Sequence, residues 1–138
     1  MKRFLYLLIS IFIITSLFAQ DSKVTQKINV YYFHTSYRCI NCTNFEKWTG
    51  EVVKTRFQDK VKKDRISFES INIEVKENEK YIEKYQLVTK AIILQKITDK
   101  KESEWRNLDQ IWFKARDEKK FKEYIETEIR SMLKGKGK

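Results

Sequence analysis

Ile28-Asn29-Val30-Tyr31-Tyr32-Phe33, followed after a short connection by Cys39-Ile40-Asn41-Cys42, is the stretch on which the reading of this chain turns. The first six residues are β-branched and aromatic, apart from Asn29, which is the composition of a buried strand. Thr35 to Arg38 form the connection, and Cys39 opens a helix. Phe45, Trp48 and Val52 recur at spacings of three and four, and Val53, Phe57 and Val61 continue the stripe at four. Gly50 weakens the middle of this helix by about 1 kcal/mol without ending it. Cys39 and Cys42 are the chain's entire cysteine content, so neither has another partner within the chain. A C-x-x-C between a strand and an amphipathic helix has the spacing of a redox dithiol.

Downstream, the charged stretch Lys60 to Arg65 reads as a loop, and Ile66 to Val75 as a second strand. The apolar alternation in that strand breaks phase between Phe68 and Ile71, which implies a bulge near Glu69 and Ser70 or burial on both faces. Asn78 to Tyr85 suits a short helix with Tyr81, Ile82 and Tyr85 on one side. Ala91 to Ile97 is a third strand, Thr98-Asp99-Lys100-Lys101 a polar turn, and Glu102 to Arg106 its hairpin partner. The remainder reads as helix. Leu108, Ile111, Trp112 and Ala115 form one stripe, Asp117 caps a new start, and Phe121, Tyr124, Ile125, Ile129, Met132 and Leu133 form another. Gly135 is a stop signal. Trp48, Trp105 and Trp112 fit core stripes and need no ligand.

The order β-α-β-α-β-β-α predicts an α/β fold of the thioredoxin-like kind, with a four-stranded mixed sheet and flanking helices. Two strand-helix-strand units imply parallel pairing with right-handed crossovers, and the hairpin adds an antiparallel edge. The cysteines then lie at the carboxyl end of the first strand, where chemistry gathers in open α/β sheets.

The chain has 138 residues. Lys2 and Arg3 precede an apolar run from Phe4 to Phe18, and residues 1–19 read as a secretory signal peptide with cleavage after Ala19 or Gln20. The rival is a membrane anchor, but a helix over that run spans only about 22 Å against a hydrocarbon core of about 30 Å. Residues 20–134 suit one thioredoxin-like domain, and 135–138 a disordered basic tail. Export places the protein in the periplasm or outside the cell, where disulfides persist. The net charge of +10 is dispersed through mixed-sign segments such as Glu118-Lys119-Lys120. With export, that argues against nucleic acid as partner and for a solvated surface with weak affinity for anionic membrane or polysaccharide.

Free cysteine, with a pKa of about 8.5, is mostly protonated at neutral pH. At a helix N-terminus Cys39 meets unsatisfied N–H groups and the positive end of the macrodipole, and Arg38 adds a neighbouring charge. Together these bring a thiol towards about 3.5–7.5. Cys42, one turn in, is the shielded resolving thiol. Cys39 then attacks a partner protein's disulfide and Cys42 displaces the product, with no organic cofactor required. His34 is read either as a proton exchanger for the pair or as a hydrogen-bonded residue closing the strand. Glu46, four residues past Cys42, is read either as a buried proton acceptor or as a solvated surface carboxylate. The alternatives use the same thiols without turnover: an inert short-loop disulfide, or a module that binds zinc or copper through Cys39 and Cys42 with His34 as a third ligand, or binds a partner through the two thiols.

The segment Val30-Tyr-Tyr-Phe-His-Thr-Ser-Tyr-Arg-Cys-Ile-Asn-Cys-Thr-Asn-Phe-Glu46 resembles a bacterial thioredoxin-like family whose members commonly carry the label nitrophenyl compound nitroreductase subunit ArsF family. The likeness extends less specifically through Tyr85 to Leu94 and Trp105 to Met132. It implies a thioredoxin fold, export or membrane association, and a role in electron transfer. Well-studied thioredoxins place Trp before the first cysteine and Gly-Pro within the pair, where Arg38 and Ile40-Asn41 stand here. Their buried acid corresponds to Tyr32 or Phe33. Their cis-proline corresponds to the region of Lys90-Ala91, and because this chain has no proline a trans bond is expected there.

Overall fold

The computed structural model describes residues 25–135. The signal peptide read over residues 1–19 and tail residues 136–138 lie outside that range. Four strands form one sheet: β1 (Gln26–His34), β2 (Ile66–Asn72), β3 (Ala91–Thr98) and β4 (Lys101–Asn107), in the order β2-β1-β3-β4. The helices are α1 (Ile40–Arg56), α2 (Gln58–Lys62), α3 (Lys80–Tyr85) and α4 (Glu118–Leu133), with 3₁₀ turns at Lys76–Asn78 and Asp109–Lys114. This is a thioredoxin-like α/β fold with a mixed four-stranded sheet and flanking helices.

β1 pairs parallel with β2 from Ile28↔Ile66 to His34↔Asn72, as a strand-helix-strand unit through α1 requires. The second expected parallel pairing is corrected: β3 runs antiparallel to β1, from Phe33↔Ala91 to Gln26↔Thr98. The cause is the length of α3. Six residues of helix extend about 9 Å, whereas returning the chain down a seven-residue strand takes about 23 Å. The segment after β2 therefore stays at the carboxyl end of β1, crosses it, and starts β3 there. β4 then pairs antiparallel with β3.

No bulge interrupts β2, whose register against β1 is continuous. Burial on both faces explains its broken alternation. Ile66 and Phe68 join one cluster, with α1 and α4, whereas Ile71 and Ile73 join another beneath α3. The first cluster contains Val30, Tyr32, Phe45, Trp48, Val52, Ile92, Leu94, Phe121, Ile125 and Ile129. The second contains Phe33, Tyr85, Leu87 and Ile93, with Tyr31 and Tyr81 packed against it.

The helix after Cys39 does not run to Val61 as one piece. It stops at Arg56, Phe57 leaves helical geometry (φ −125°, ψ 24°), and part of the expected loop continues as α2. Burying Phe57 outweighs continuity, and Val61 is left exposed. Gly50 has a positive reason to be glycine, since a Cβ there would sit 3.1 Å from the Phe68 ring. The tryptophan reading is corrected in part. Trp48 is core, but Trp105 lies on the edge strand and Trp112 on a 3₁₀ turn, and both stay more than a third exposed. At α4, Asp117 accepts from the Lys120 amide at 3.0 Å, the buried Lys96 ammonium donates to the Met132 carbonyl at 3.1 Å, and Gly135 takes the left-handed φ of +70° that ends the helix.

Candidate redox site

The cysteines stand where β1 hands over to α1. The intervening loop is tied down by short polar contacts. The Ile73 amide donates to the His34 carbonyl at 2.9 Å, the Ser36 amide to Glu74 at 2.8 Å, and the Asn72 amide group to the Ser36 hydroxyl at 3.1 Å. Cys39 is extended (φ −84°, ψ 167°) and caps α1, its Sγ accepting from the Cys42 amide at 3.2 Å. Cysteine here takes the place that Ser or Asp usually fills. The two sulfurs are joined as a disulfide, with Cα atoms 5.0 Å apart.

Their environments differ sharply. Cys42 is fully buried, whereas Cys39 is half-buried at the surface. A thiolate arriving from solvent therefore meets the Cys39 sulfur. On reduction, the negative charge that forms there faces the Cys42 N–H and the N-terminal end of a seventeen-residue helix. Phe45, one turn beyond Cys42, stacks on Phe121 of α4 (centroids 5.1 Å) and meets Trp112 edge-on (5.2 Å), fixing the helix that carries the pair.

His34, Arg38 and Glu46 come together beside this turn. The Arg38 guanidinium pairs with Glu46 through Nη2, and its Nη1 donates to His34 Nε2 at 3.3 Å. His34 Nδ1 then donates to the Thr35 carbonyl at 2.9 Å, the assignment that leaves Nε2 free to accept. Tyr32, two residues before His34 on the same strand face, stacks on its ring at 5.7 Å and lies under the guanidinium at 5.8 Å. Arg38 is thus engaged sideways, and its charge is answered by Glu46. This leaves the helix terminus as the main support for a Cys39 thiolate. Among the described residues no hydrogen bond joins His34, Arg38 or Glu46 to either sulfur.

Burial works to raise the Glu46 carboxyl, but the Ser70 hydroxyl and the Arg38 guanidinium outweigh it and hold the group below the usual carboxylate range. Ser70 acts through proximity, since its buried hydroxyl has no hydrogen bond of ordinary geometry. Burial pushes the Tyr32 phenol up to about 12, and Arg38 offsets this only partly. The Tyr32 hydroxyl and Arg38 Nε are likewise buried without a protein partner. This polar cluster against α1 occupies the region where the sequence comparison placed Tyr32 in lieu of an acid.

Exposed apolar side chains flank Cys39 along the chain: Tyr37 is 76% exposed and Ile40 79%. The Lys90 ammonium lies 5.7 Å from the Tyr37 ring centroid, bringing the segment before β3 against the loop before the cysteines. The peptide bonds of the described residues are all trans, including Lys90–Ala91.

Sequence reading passed over Ser70, Tyr37 and Glu74. Ser70 carried a usable signal, because it continues the Ile66, Phe68 alternation onto the face that meets α1. The approach of Tyr37 to Lys90 carried none, since the two lie more than fifty residues apart in the chain and meet only through the fold. For a metal, His34 offers no free ring nitrogen, and among the described residues no cluster of three His, Cys, Asp or Glu side chains forms.

No family model matches the chain, and no curated protein matches it. Among solved structures it is similar to a thioredoxin from Thermus thermophilus, 13% identical over 76% of this chain and 75% of that one, with a TM-score of 0.44. It is also similar to a malarial protein, 20% identical over 59% of this chain and 80% of that one, with a TM-score of 0.40. The thioredoxin-like assignment itself stands on strand order, strand direction and the cysteine pair at the β1–α1 junction.

Proposed function

We propose that this protein is an exported thiol–disulfide oxidoreductase, or electron-transfer protein, that acts on a partner protein through Cys39 and Cys42. The observation that carries the reading is the asymmetry of the pair: one sulfur half-exposed at a helix N-cap, the other fully buried one turn in. An inert disulfide has no need of that arrangement. In the reducing direction, the Cys39 thiolate attacks a substrate disulfide R–S–S–R′, forming Cys39–S–S–R and releasing R′–S⁻. The Cys42 thiolate then attacks Cys39 Sγ, closing the disulfide and releasing R–S⁻. Two electrons pass to the substrate, and the two protons of the dithiol are lost to solvent or to the released thiolates. The oxidising direction is the same path reversed, beginning with a substrate thiolate at Cys39.

The resemblance of Val30 to Glu46 to the ArsF-labelled family supports electron transfer as the role, and nitro-group reduction is no part of the proposal. Arg38, His34 and Glu46 act as positioning residues that hold the loop before Cys39. Tyr37 and Ile40 give a partner an apolar surface beside the reactive sulfur. A second partner restores the redox state after each turnover. Metal binding through the same thiols is not favoured, since His34 is engaged by Thr35 and Arg38.

The test is a Cys42→Ala variant incubated with glutathione disulfide and with a protein disulfide substrate. A stable mixed disulfide mapped by mass spectrometry to Cys39 is expected, and Cys39→Ala should trap nothing. Equal trapping at either cysteine, or at neither, overturns the assignment of roles.

A further inference from the structure

Arg38 stands one residue before the reactive cysteine, yet its charge is engaged elsewhere. We infer that Glu46 sets the redox poise of the pair by holding the Arg38 guanidinium off the Cys39 sulfur. The dithiol is then a stronger reductant than it would be with Arg38 free. The effect presupposes the dithiol chemistry proposed above and tunes it.

Three elements build the restraint. From α1, the Glu46 carboxylate pairs with Arg38 Nη2. From β1, His34 Nε2 accepts from Arg38 Nη1 at 3.3 Å, and the Tyr32 ring centroid lies 5.8 Å from the guanidinium carbon. From β2, Ser70 stands beside Tyr32 in the strand register, its hydroxyl close to the Glu46 carboxylate. His34, Tyr32 and Glu46 are thus the titratable groups that contact Arg38 among the described residues. Both members of the ion pair are about a third exposed or less, so solvent screens them only in part. The sulfur side is correspondingly bare. Cys39 Sγ accepts from the Cys42 N–H at 3.2 Å and, among the described residues, from no side chain.

Reduction creates the charge that a released Arg38 would meet. In exchange with glutathione, the Cys39–Cys42 disulfide and two glutathione thiols give a Cys39 thiolate, a Cys42 thiol, glutathione disulfide and one proton. The two electrons come from the glutathione sulfurs. The disulfide is neutral, so a cation at Cys39 stabilises the reduced side alone. An opposite charge within about 4–6 Å favours an ionised group by roughly tenfold or more. Neighbouring Cα atoms are only about 3.8 Å apart, so an arginine side chain at residue 38 has the reach once released. Glu46 prevents this because its carboxylate is present in both redox states, whereas the thiolate exists in one. Burial opposes that ionisation, but Ser70 and Arg38 hold the carboxyl below its usual range and keep it charged at neutral pH.

The test is the equilibrium constant for reduction by glutathione at neutral pH, measured for wild type, Glu46→Gln, Arg38→Gln and the double variant. The pH profile of Cys39 alkylation is the second readout. Glu46→Gln should favour the reduced form by about tenfold, which is about 30 mV for a two-electron couple. It should also move the alkylation profile to lower pH. In the Arg38→Gln background the same substitution should shift the equilibrium by no more than about twofold, because no guanidinium is there to be released. Equal shifts in both backgrounds would mean that Glu46 acts through its own charge. An unchanged couple in Glu46→Gln, with only urea stability lowered, would make its role structural. Either result overturns the inference and leaves the dithiol reading standing, whereas the absence of a reversible couple in the wild type overturns both. Circular dichroism of the oxidised variants confirms that folding is retained.

Discussion

The two ends of the β-sheet solve opposite problems. At the cysteine end, polar groups are drawn inward: Arg38, Glu46, His34, Tyr32 and Ser70 gather beside the first turns of α1, with Tyr32 buried and the others half-buried. At the other end, Lys63 and Lys100 are exposed, and Arg65 is half-buried at the rim of an open recess. Inward groups couple to packing and protonation, so changes there are felt by the whole fold. Outward charges are felt mainly by whatever lies outside. A reactive pair gains from the first arrangement, because its surroundings are held in one geometry.

The largest effect should come from the packing under the cysteine end. Phe45→Ala removes the ring between Phe121 and Trp112 and should cost about 3–5 kcal/mol in urea unfolding of the oxidised protein. A loss below 1 kcal/mol would mean that this end is looser than the contacts indicate.

Next comes Glu46→Gln, which leaves the partly buried guanidinium facing a neutral amide. The expected loss is about 1 kcal/mol at neutral pH, discounted because both side chains remain about a third exposed. The pH dependence follows from the lowered pKa. A carboxyl held below its unfolded value of about 4.3 contributes stability above that pH, and the contribution is lost as pH falls through the lower folded value. Glu46→Gln should therefore flatten this part of the acid limb of the stability profile.

Tyr32 works at the alkaline side with the opposite sign. Its folded pKa of about 12 lies above an unfolded value of about 10, so its contribution is complete below pH 10 and is lost as pH rises towards 12. Tyr31 and Tyr124, also raised to about 12 mainly by burial, add to the same loss. Tyr32→Phe should alter stability at pH 7 by less than about 1 kcal/mol, since the hydroxyl has no protein partner. It should recover on the order of 2 kcal/mol of the alkaline loss, read by urea unfolding as pH is raised.

The smallest effect belongs to the basic end. Lys63→Gln should change stability by no more than about 0.5 kcal/mol by thermal unfolding. A cost comparable to that of Glu46→Gln would erase the contrast between the two ends.

Local patterns carried much of this architecture. Ile28 to Phe33 and the cysteine pair after it read correctly as strand and helix start because both are contiguous and their chemistry is distinctive. The Asp117 cap and the Phe121 to Leu133 stripe were legible for the same reason. The direction of β3 was not, because it depends on whether the short helix after β2 is long enough to carry the chain back, a comparison of lengths rather than of residue types. Trp105 and Trp112 fit apolar stripes in sequence, but an edge strand and a 3₁₀ turn leave their rings partly uncovered. At the site, the cysteines were plain, and His34, Arg38 and Glu46 were visible as neighbours in the chain. Their shared cluster with Tyr32 and Ser70 was not, since it needs the β1–β2 register to bring residue 70 alongside residue 32.

The most direct test of the dithiol reading is a redox titration of Cys39–Cys42 in glutathione and dithiothreitol buffers, with the oxidised fraction read by alkylation and mass spectrometry. The expected result is a reversible two-electron couple between about −270 and −120 mV, with Cys39 alkylated well before Cys42 once reduced. A disulfide that stays closed until below about −300 mV, or two thiols that react alike, would mark the pair as a structural staple and contradict it.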